Sequence, residues 1–445
     1  MNNDINLKKQ LNRLVMPILV ETLLTFMLGG IDTFMLSQHS DNAVAAVGMD
    51  NQILQLVFLL FTIINAGTSV LCSQYFGARL HDRFVAVSGV ALLMNVAMGL
   101  ATSLALVCYA GPVLRFMGLR PELMSDGIPY LRIVGGFAFA QAVTTTVSAI
   151  LRSANKPVYP MIVIAVVNVL NIIGNYTLIF GKCGMPALGA EGAAISTSIS
   201  RVVSMLMLIL MLQRKQIRSF PLRLFRPFPY SEMRRLLKIG LPSAGENISY
   251  NLQQLVLMFF INMIGNEALT ARIYVGNIVM FVYLYAICIA QGNSIMVGNL
   301  TGMDKNNASY IVGKLSWHRG AMVSMFFSVI CALCGPYIAD ILTDNDDIAR
   351  LVCCCFWVDV LLEIGKCINI WATNTLRATG DIFFPFYLGI IVQWIVGVGC
   401  GYLFGIVFGF GLIGMWFAFA LDENIRGLVF VQRWNSMKWV GRGFK

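Results

Sequence analysis

Apolar residues in this chain come in long unbroken runs, at 14–37, 53–76, 85–111, 127–151, 158–181, 188–213, 236–263, 273–300, 312–338, 348–376, 383–408 and 411–434. As an α-helix rising about 1.5 Å per residue, each run is long enough to cross the roughly 30 Å hydrocarbon layer of a bilayer. An outer-membrane barrel would instead show segments of about ten residues in which apolar and polar positions alternate. The pattern therefore predicts an all-α polytopic membrane protein with twelve transmembrane helices. Met1 to Arg13 is polar and has no apolar core or small-residue cleavage site, so no removable signal peptide is expected.

Polar positions inside the runs carry the chemistry. The first run holds Pro17, Glu21 and Asp32. A charged side chain at a bilayer centre costs about 2.5–3.5 kcal/mol on insertion scales and usually belongs to an ion or substrate path. Eleven residues separate the two acids, which at about 100° per residue returns them to nearly the same helix face, roughly 16 Å apart along the axis. The fifth run, VNVLNIIGNYTLIF, places Asn168, Asn171 and Asn175 at spacings of three and four, on one face. With Asp32 and with Thr197 of the sixth run, these neutral oxygens form either a cation cage or proton-accepting network, or hydrogen bonds that only tie helices together.

The seventh run is unusually polar, with Glu246, Asn247, Ser249, Tyr250, Asn251, Gln253 and Gln254. Glu246, Tyr250 and Gln253 share a face, and Asn247, Asn251 and Gln254 lie beside it. So broad a polar band cannot face lipid and is expected to line a wet cavity. The tenth run adds Asp359, Glu363 and Lys366, where Glu363 and Lys366 form either a structural ion pair or a pair that protonation or ligand binding breaks. The eleventh carries Gly397, Gly401, Gly405 and Gly409, a smooth stripe for close helix approach, with a bending hinge as the alternative. Gly409, Gly411 and Gly414 spell G-x-G-x-x-G, but no strand precedes them and a dinucleotide fingerprint is rejected.

Composition excludes a soluble globule: of 445 residues, 58% are hydrophobic and 12% charged, and the mean hydropathy is +0.74. No H-E-x-x-H, G-x-S-x-G or Walker A pattern is present, and His39, His81 and His318 fall near helix ends in separate loops, so no enzyme is expected. The eleven cysteines, Cys353, Cys354 and Cys355 among them, read as small packing residues rather than metal ligands or a disulfide framework. No cofactor is expected. The net charge of +10 is mostly topogenic. In a twelve-helix path Lys8, Lys9, Arg13, Arg79, Arg83, Arg152, Lys156, the stretch Arg214 to Lys238, Lys305, Lys314, Arg319, Arg377 and the tail from Arg426 to Lys445 fall on one side, which makes that side and both termini cytoplasmic. Nucleic acid is not an expected partner.

A shift of 225 residues superposes the two halves: Pro17 lands on Pro242, Glu21 on Glu246, Gly67 on Gly292, Leu151 on Leu376, Arg152 on Arg377 and Pro160 on Pro385. Six helices per half is an even number, so the halves run parallel and are not an inverted repeat. The expected organisation is an N-terminal lobe over 1–213, a basic inter-lobe linker over 214–235 and a C-terminal lobe over 236–445. The linker's mixture of basic and aromatic residues, with Pro221, Pro227 and Pro229, suits an anionic inner leaflet.

The strings MPILVE, IDTFMLSQHSDNAVAAVG, LRSANKP, NVLNIIGNYTLIFG, GAEGAAISTSISR, GLPSAGENISY and LRATGD together resemble the multidrug and toxic compound extrusion family over nearly the whole chain. The resemblance implies two pseudo-symmetric six-helix lobes in a V shape, alternating access by lobe rocking, and export of amphipathic, often cationic, organic compounds in exchange for H+ or Na+. Carried over onto this sequence, the family's cation site falls on Asp32, Asn171, Asn175 and Thr197. In the NorM-like branch an acid is expected about eight residues after the proline of the seventh helix and another about eleven before the arginine of the tenth. Those positions are Tyr250 and Lys366, which removes the acids a Na+ site there would use, although Glu246 lies one turn from Tyr250.

The expected function is a secondary multidrug efflux antiporter of the cell inner membrane, a monomer whose partners are small-molecule drugs and the lipid bilayer. Asp32 takes up H+ or binds Na+ from outside, and that neutralises a charge that would otherwise hold a cationic substrate. Glu246, Asn247, Tyr250, Asn251, Gln253, Asp359, Glu363 and Lys366, with Glu21, are the cavity candidates. Glu21 has Glu246 as its repeat mate and is expected to serve lobe geometry or an inner gate, whereas Asp32 falls on Leu257 and so stands out as the coupling residue. A rival reading is a flippase of the same superfamily moving a lipid-linked saccharide. Its pyrophosphate would call for several cavity arginines, and the helices offer mainly Arg201 and Lys366. An uncoupled channel fits intramembrane acids and a parallel repeat less well.

Overall fold

The computed structural model describes residues 2–217, 226 and 228–444, with side chains from residue 6 onward. Of the expected linker, residues 218–225 and 227 lie outside the described residues. Among the described residues every regular element is helical. The first half comprises α1 (Asn2–Ser37), α2 (Asp41–Gly77), α3 (His81–Phe116), α4 (Met124–Gly136), α5 (Ala138–Ser153), α6 (Val158–Phe180) and α7 (Gly189–Lys215). The second comprises α8 (Tyr230–Ile264), α9 (Asn266–Val282), α10 (Leu284–Gly302), α11 (Asn306–Leu333), α12 (Gly335–Leu342), α13 (Asp346–Ala378), α14 (Phe383–Val392) and α15 (Gly411–Asn435).

Helices α1, α2, α3, α6, α7 and the segment Phe383–Val407 are each long and apolar enough to cross a membrane. Three further apolar runs are bent pairs: Pro121–Gly136 with α5 at 45°, α9 with α10 at 43°, and α11 with α12 at 64°. The sharpest bend precedes Gly335 and Pro336, and proline cannot donate to the helical ladder it enters. The remaining long helices, α8, α13 and α15, carry most of the buried charged side chains. With them, the described residues form twelve long helical segments in the order of the twelve runs. Three local expectations change. The polar N-terminus is helical and continuous with α1, because the ladder carries on past the last apolar position. The second helix begins at Asp41 rather than at 53, where the Ser40 side chain accepts from the Ala43 N–H. His318 lies inside α11 and not in a loop, with its ring beside Trp317.

Two compact units make up the chain. One is Met16–Gly240, and the other is Met1–Val15 with Leu241–Lys445. The start of α1 therefore groups with the second half and the start of α8 with the first. Close packing explains the grouping. Val15 lies on Gly292, and Asn12 accepts from Arg319 at 3.0 Å. Leu236 lies on Gly67, and Glu232 accepts from the Tyr75 hydroxyl at 2.8 Å. Gly67 and Gly292 are repeat mates, so the same device is used in each unit. Pro17 and Pro242 stand within two residues of the point where each helix leaves one unit for the other.

The Gly67 contact makes a direct test. A Cβ at Gly67 would lie 2.4 Å from the Leu236 backbone oxygen, whereas at Gly29 it would meet nothing within 4 Å. Gly67→Ala is expected to cost about 1–3 kcal/mol by overpacking, read as a lower thermal unfolding midpoint of the purified protein. Gly29→Ala is expected to leave the midpoint in place.

Candidate functional site

In the first unit, α1, α6 and α7 bring Asp32, Asn175, Asn171 and Thr197 into one hydrogen-bonded chain. Asn175 Nδ2 donates to Asp32 Oδ1 at 2.6 Å and to Asn171 Oδ1 at 3.0 Å, and Asn171 Nδ2 donates to Thr197 Oγ1 at 3.4 Å. The three-and-four spacing on α6 produces this order, since it stacks the amides on one face. Asn168, the third member of that face, donates instead to the Leu24 carbonyl at 2.8 Å and so ties α6 to α1. Asp32 and Thr197 line a cavity of about 90 Å³ together with Asn51 and Tyr130. Glu21 does not join them. It pairs with Arg152 of α5 at 3.5 Å, so the two acids of the first run serve different partners.

In the second unit a cavity of about 310 Å³ is bounded by α8, α13, α15 and the break between α9 and α10. Glu246, Asn247, Tyr250 and Lys366 line it, as the polar face of the seventh run suggests. A second cavity of about 250 Å³ shares Tyr250 and Lys366 and reaches Asp359 and Arg272. Glu246 is ion-paired with Arg377. This pair is the repeat image of Glu21 with Arg152. Glu363 accepts from Lys366 at 3.2 Å, and the Lys366 ammonium also lies 3.3 Å from the centre of the Tyr283 ring, which the α9–α10 break presents to it. Asp359 accepts weakly from Ser328 at 3.4 Å and from Trp416 at 3.5 Å.

Other polar residues of α8 go elsewhere. Gln253 is fully buried and donates to Asp422 at 3.2 Å, and Gln254 accepts from Arg272 at 2.6 Å. Asn251 is exposed and donates back to the Asn247 carbonyl of its own helix at 2.8 Å. The expected band is thus split, because a helix turning about 100° per residue cannot hold seven polar positions spread over nine residues on one cavity. The glycine stripe proves to be close packing at three of its members: Gly397 admits Gln253, Gly401 admits Leu257, and Gly405 admits Met415. The stretch is wound as π-helix over Gln393–Cys400 and Leu403–Val407, and Gly409 ends it at φ +73°.

The residues that sequence reasoning missed lie on α15. Arg426, 2% exposed, makes a forked bond to Asp422 at 2.9 and 2.8 Å and a third contact to Glu423 at 2.9 Å. Glu423 also accepts from Asn369 at 2.6 Å. Arg426 therefore does not open a cytoplasmic tail. Its signal was the spacing D-E-x-x-R, which puts a cation one turn beyond two acids. Arg377 and Arg426 line the larger cavity beside Lys366, so its cations go beyond those expected, while Arg201 is not among its lining residues.

The family model MatE matches residues 17–177 and again 242–403, beginning at the two repeat-related prolines. The chain belongs to the MatE family of transporters. It is 39% identical to the uncharacterized transporter YisQ of Bacillus subtilis, over 97% of this chain and 94% of that protein. It is 26% identical to the probable multidrug resistance protein NorM of Thermotoga maritima, over 98% of this chain and 94% of that one. Its fold is similar to that of a MATE transporter crystallised in the bent conformation, with a TM-score of 0.89, 20% identity, and 97% and 96% of the two chains covered. This MATE protein is a membrane transporter and not an enzyme. The matched stretches hold Asp32, Asn171 and Asn175, while Thr197, Arg201 and the α15 cluster lie outside them.

The Glu246–Arg377 pair, with side chains 11% and 15% exposed, is testable by stability. Removing one partner of a buried pair costs up to about 3–5 kcal/mol, whereas replacing both is close to neutral. Arg377→Ala is expected to lower the thermal midpoint strongly, and the double variant Glu246→Gln with Arg377→Gln is expected to recover most of the loss.

Proposed function

We propose that this MATE protein is a secondary antiporter that exports amphipathic, cationic organic compounds in exchange for H+ or Na+. It sits in the cell inner membrane as a monomer with both termini in the cytoplasm. The observation that carries the reading is the Asp32 site: one carboxylate, held by the Asn175 amide at the end of a neutral chain that runs through Asn171 to Thr197, facing a cavity of about 90 Å³. That volume suits an ion or a few waters and is well below the roughly 300–1,000 Å³ of drug-sized pockets. The cavity of about 310 Å³ in the second unit reaches that range and offers Tyr250, Tyr283 and Ile287 as contact surface. Uptake of a cation at Asp32 removes a negative charge from the first unit, and loss of that charge weakens the hold on a cationic compound. The coupling thus needs no cofactor.

Pairing in the second unit argues against an anionic substrate. Three carboxylates (Glu246, Asp359 and Glu423) and four cations (Arg272, Lys366, Arg377 and Arg426) line the two cavities, with Glu363 and Asp422 paired to the cations from behind. Lys366, Arg377 and Arg426 are each tied to a carboxylate. A pyrophosphate-bearing lipid would have to break those pairs, which argues against the flippase.

Inverted vesicles with an imposed pH or Na+ gradient test this directly, with ethidium as the probe. Wild-type protein is expected to accumulate ethidium under one of the two gradients, and that gradient names the ion. Asp32→Asn is expected to abolish the accumulation. Gradient-driven uptake retained in Asp32→Asn would overturn the coupling role, and uptake indifferent to both gradients would overturn antiport.

A further inference from the structure

The apolar stripe by which α2 enters the core of the first unit is interrupted by an acid. Ala46, Val47, Ile53 and Leu54 are buried at helical spacing in one hydrophobic cluster, and Asp50 occupies the same face with no exposed surface. Neither of its carboxyl oxygens has a hydrogen-bond partner, and no cation is paired with it among the described residues. The space it fills is left by Gly127 of α4, where a Cβ would stand 3.7 Å from Asp50 Oδ1, beside Leu114 and Leu119. From α3 and the turn before α4 it therefore meets leucines. On α4, Tyr130 stands one turn beyond Gly127 and lines the Asp32 cavity together with Asn51, the residue next to Asp50 on α2. Arg201 is engaged elsewhere, over the Phe58 ring at 5.0 Å and with the Val134 carbonyl at 3.5 Å.

We infer that Asp50 is a second proton-binding group of this protein, exchanging its proton with the Asp32 cavity by way of Tyr130. An ionised carboxylate sealed in hydrocarbon without a donor is far more costly than the neutral acid, so the group that completes the site is a proton. A metal ion does not fit, because the oxygens are enclosed and Asp50 does not line the cavity. Tyr130 joins the two on α4: it lines the cavity of Asp32 and follows by one turn Gly127, whose Cβ position lies 3.7 Å from Asp50 Oδ1. A phenol both donates and accepts. A rotation of the ring lets its oxygen take the proton leaving Asp50 while its own proton passes to the Asp32 carboxylate, and the return passage restores the neutral Asp50. The link to transport rests on the reading of Asp32 as the coupling site, whereas the proton on Asp50 does not.

Infrared difference spectroscopy of the full-length protein in lipid vesicles, in H2O and D2O at neutral pH, tests it without any substrate. A protonated-carboxyl band is expected in the wild type, lost in Asp50→Asn and kept in Asp32→Asn. Should Asp50→Asn not fold, Asp50→Glu is expected to move the band instead. An Asp50→Asn spectrum superimposable on the wild type, or an unmoved band in Asp50→Glu, would overturn the site. Tyr130→Phe is expected to keep the band and slow its exchange with D2O several-fold, and an unchanged exchange rate would overturn the relay. Failure of the Asp32 reading would show separately, as gradient-driven ethidium uptake retained in Asp32→Asn with the Asp50 band intact.

Discussion

A charge taken into the interior of a helical membrane protein must find its opposite nearby, and most of the polar architecture here follows from that requirement. Removing one charge of a buried pair is costly because the remaining charge has no water to turn to. Hence Arg426 is gripped by two carboxylates, Lys366 by Glu363 and the Tyr283 ring, and Glu246 by Arg377. Gly397 is shaped by the same need, since only a residue without a side chain lets Gln253 pass to Asp422. In the first unit, Glu21 obeys the rule through Arg152, while Asp32 is met by an amide and Asp50 by neither donor nor cation. Under the reading of coupled exchange, those two under-compensated carboxyls are where an incoming cation gains most.

Much of the fold was legible because the constraints that built it act on long stretches. Bilayer thickness sets the run lengths, and the internal duplication is plain at Pro17 and Pro242 and at Glu21 and Glu246. The chain from Asp32 to Thr197 was legible too, since three-and-four spacing on one helix stacks the amides whatever surrounds it. Asn251 was misplaced for the opposite reason. Polarity alone does not say toward which neighbour a position turns, and Asn251 satisfies its amide on its own helix. The α15 cluster was overlooked because Arg426 reads as the first cation of a basic tail until the two acids a turn earlier are seen to hold it. Asp50 gave less warning still: it lies before the second apolar run as counted, and only the tertiary packing of Leu114, Leu119 and Gly127 makes it interior.

The repeat also shows how one scaffold came to hold two different sites. Its offset of 225 residues places Arg201 on Arg426 and Thr197 on Asp422, so both halves carry an arginine at the equivalent position. What differs is the helix that carries the nearby acid. In the second half the acid is on the same helix as the arginine, four residues away, where a fixed backbone holds the two in a forked bond. In the first half that position is Thr197, and the acid stands on another helix as Asp32, whose repeat mate Leu257 packs on Gly401. An acid and arginine on one helix keep their separation in any rigid-body movement, whereas the distance between an acid on α1 and an arginine on α7 depends on how those helices pack. The duplication therefore leaves a fixed ion pair in one half and, in the other, an acid held by an amide alone, and under the antiport reading an exchange that must bind and release a cation needs the second kind.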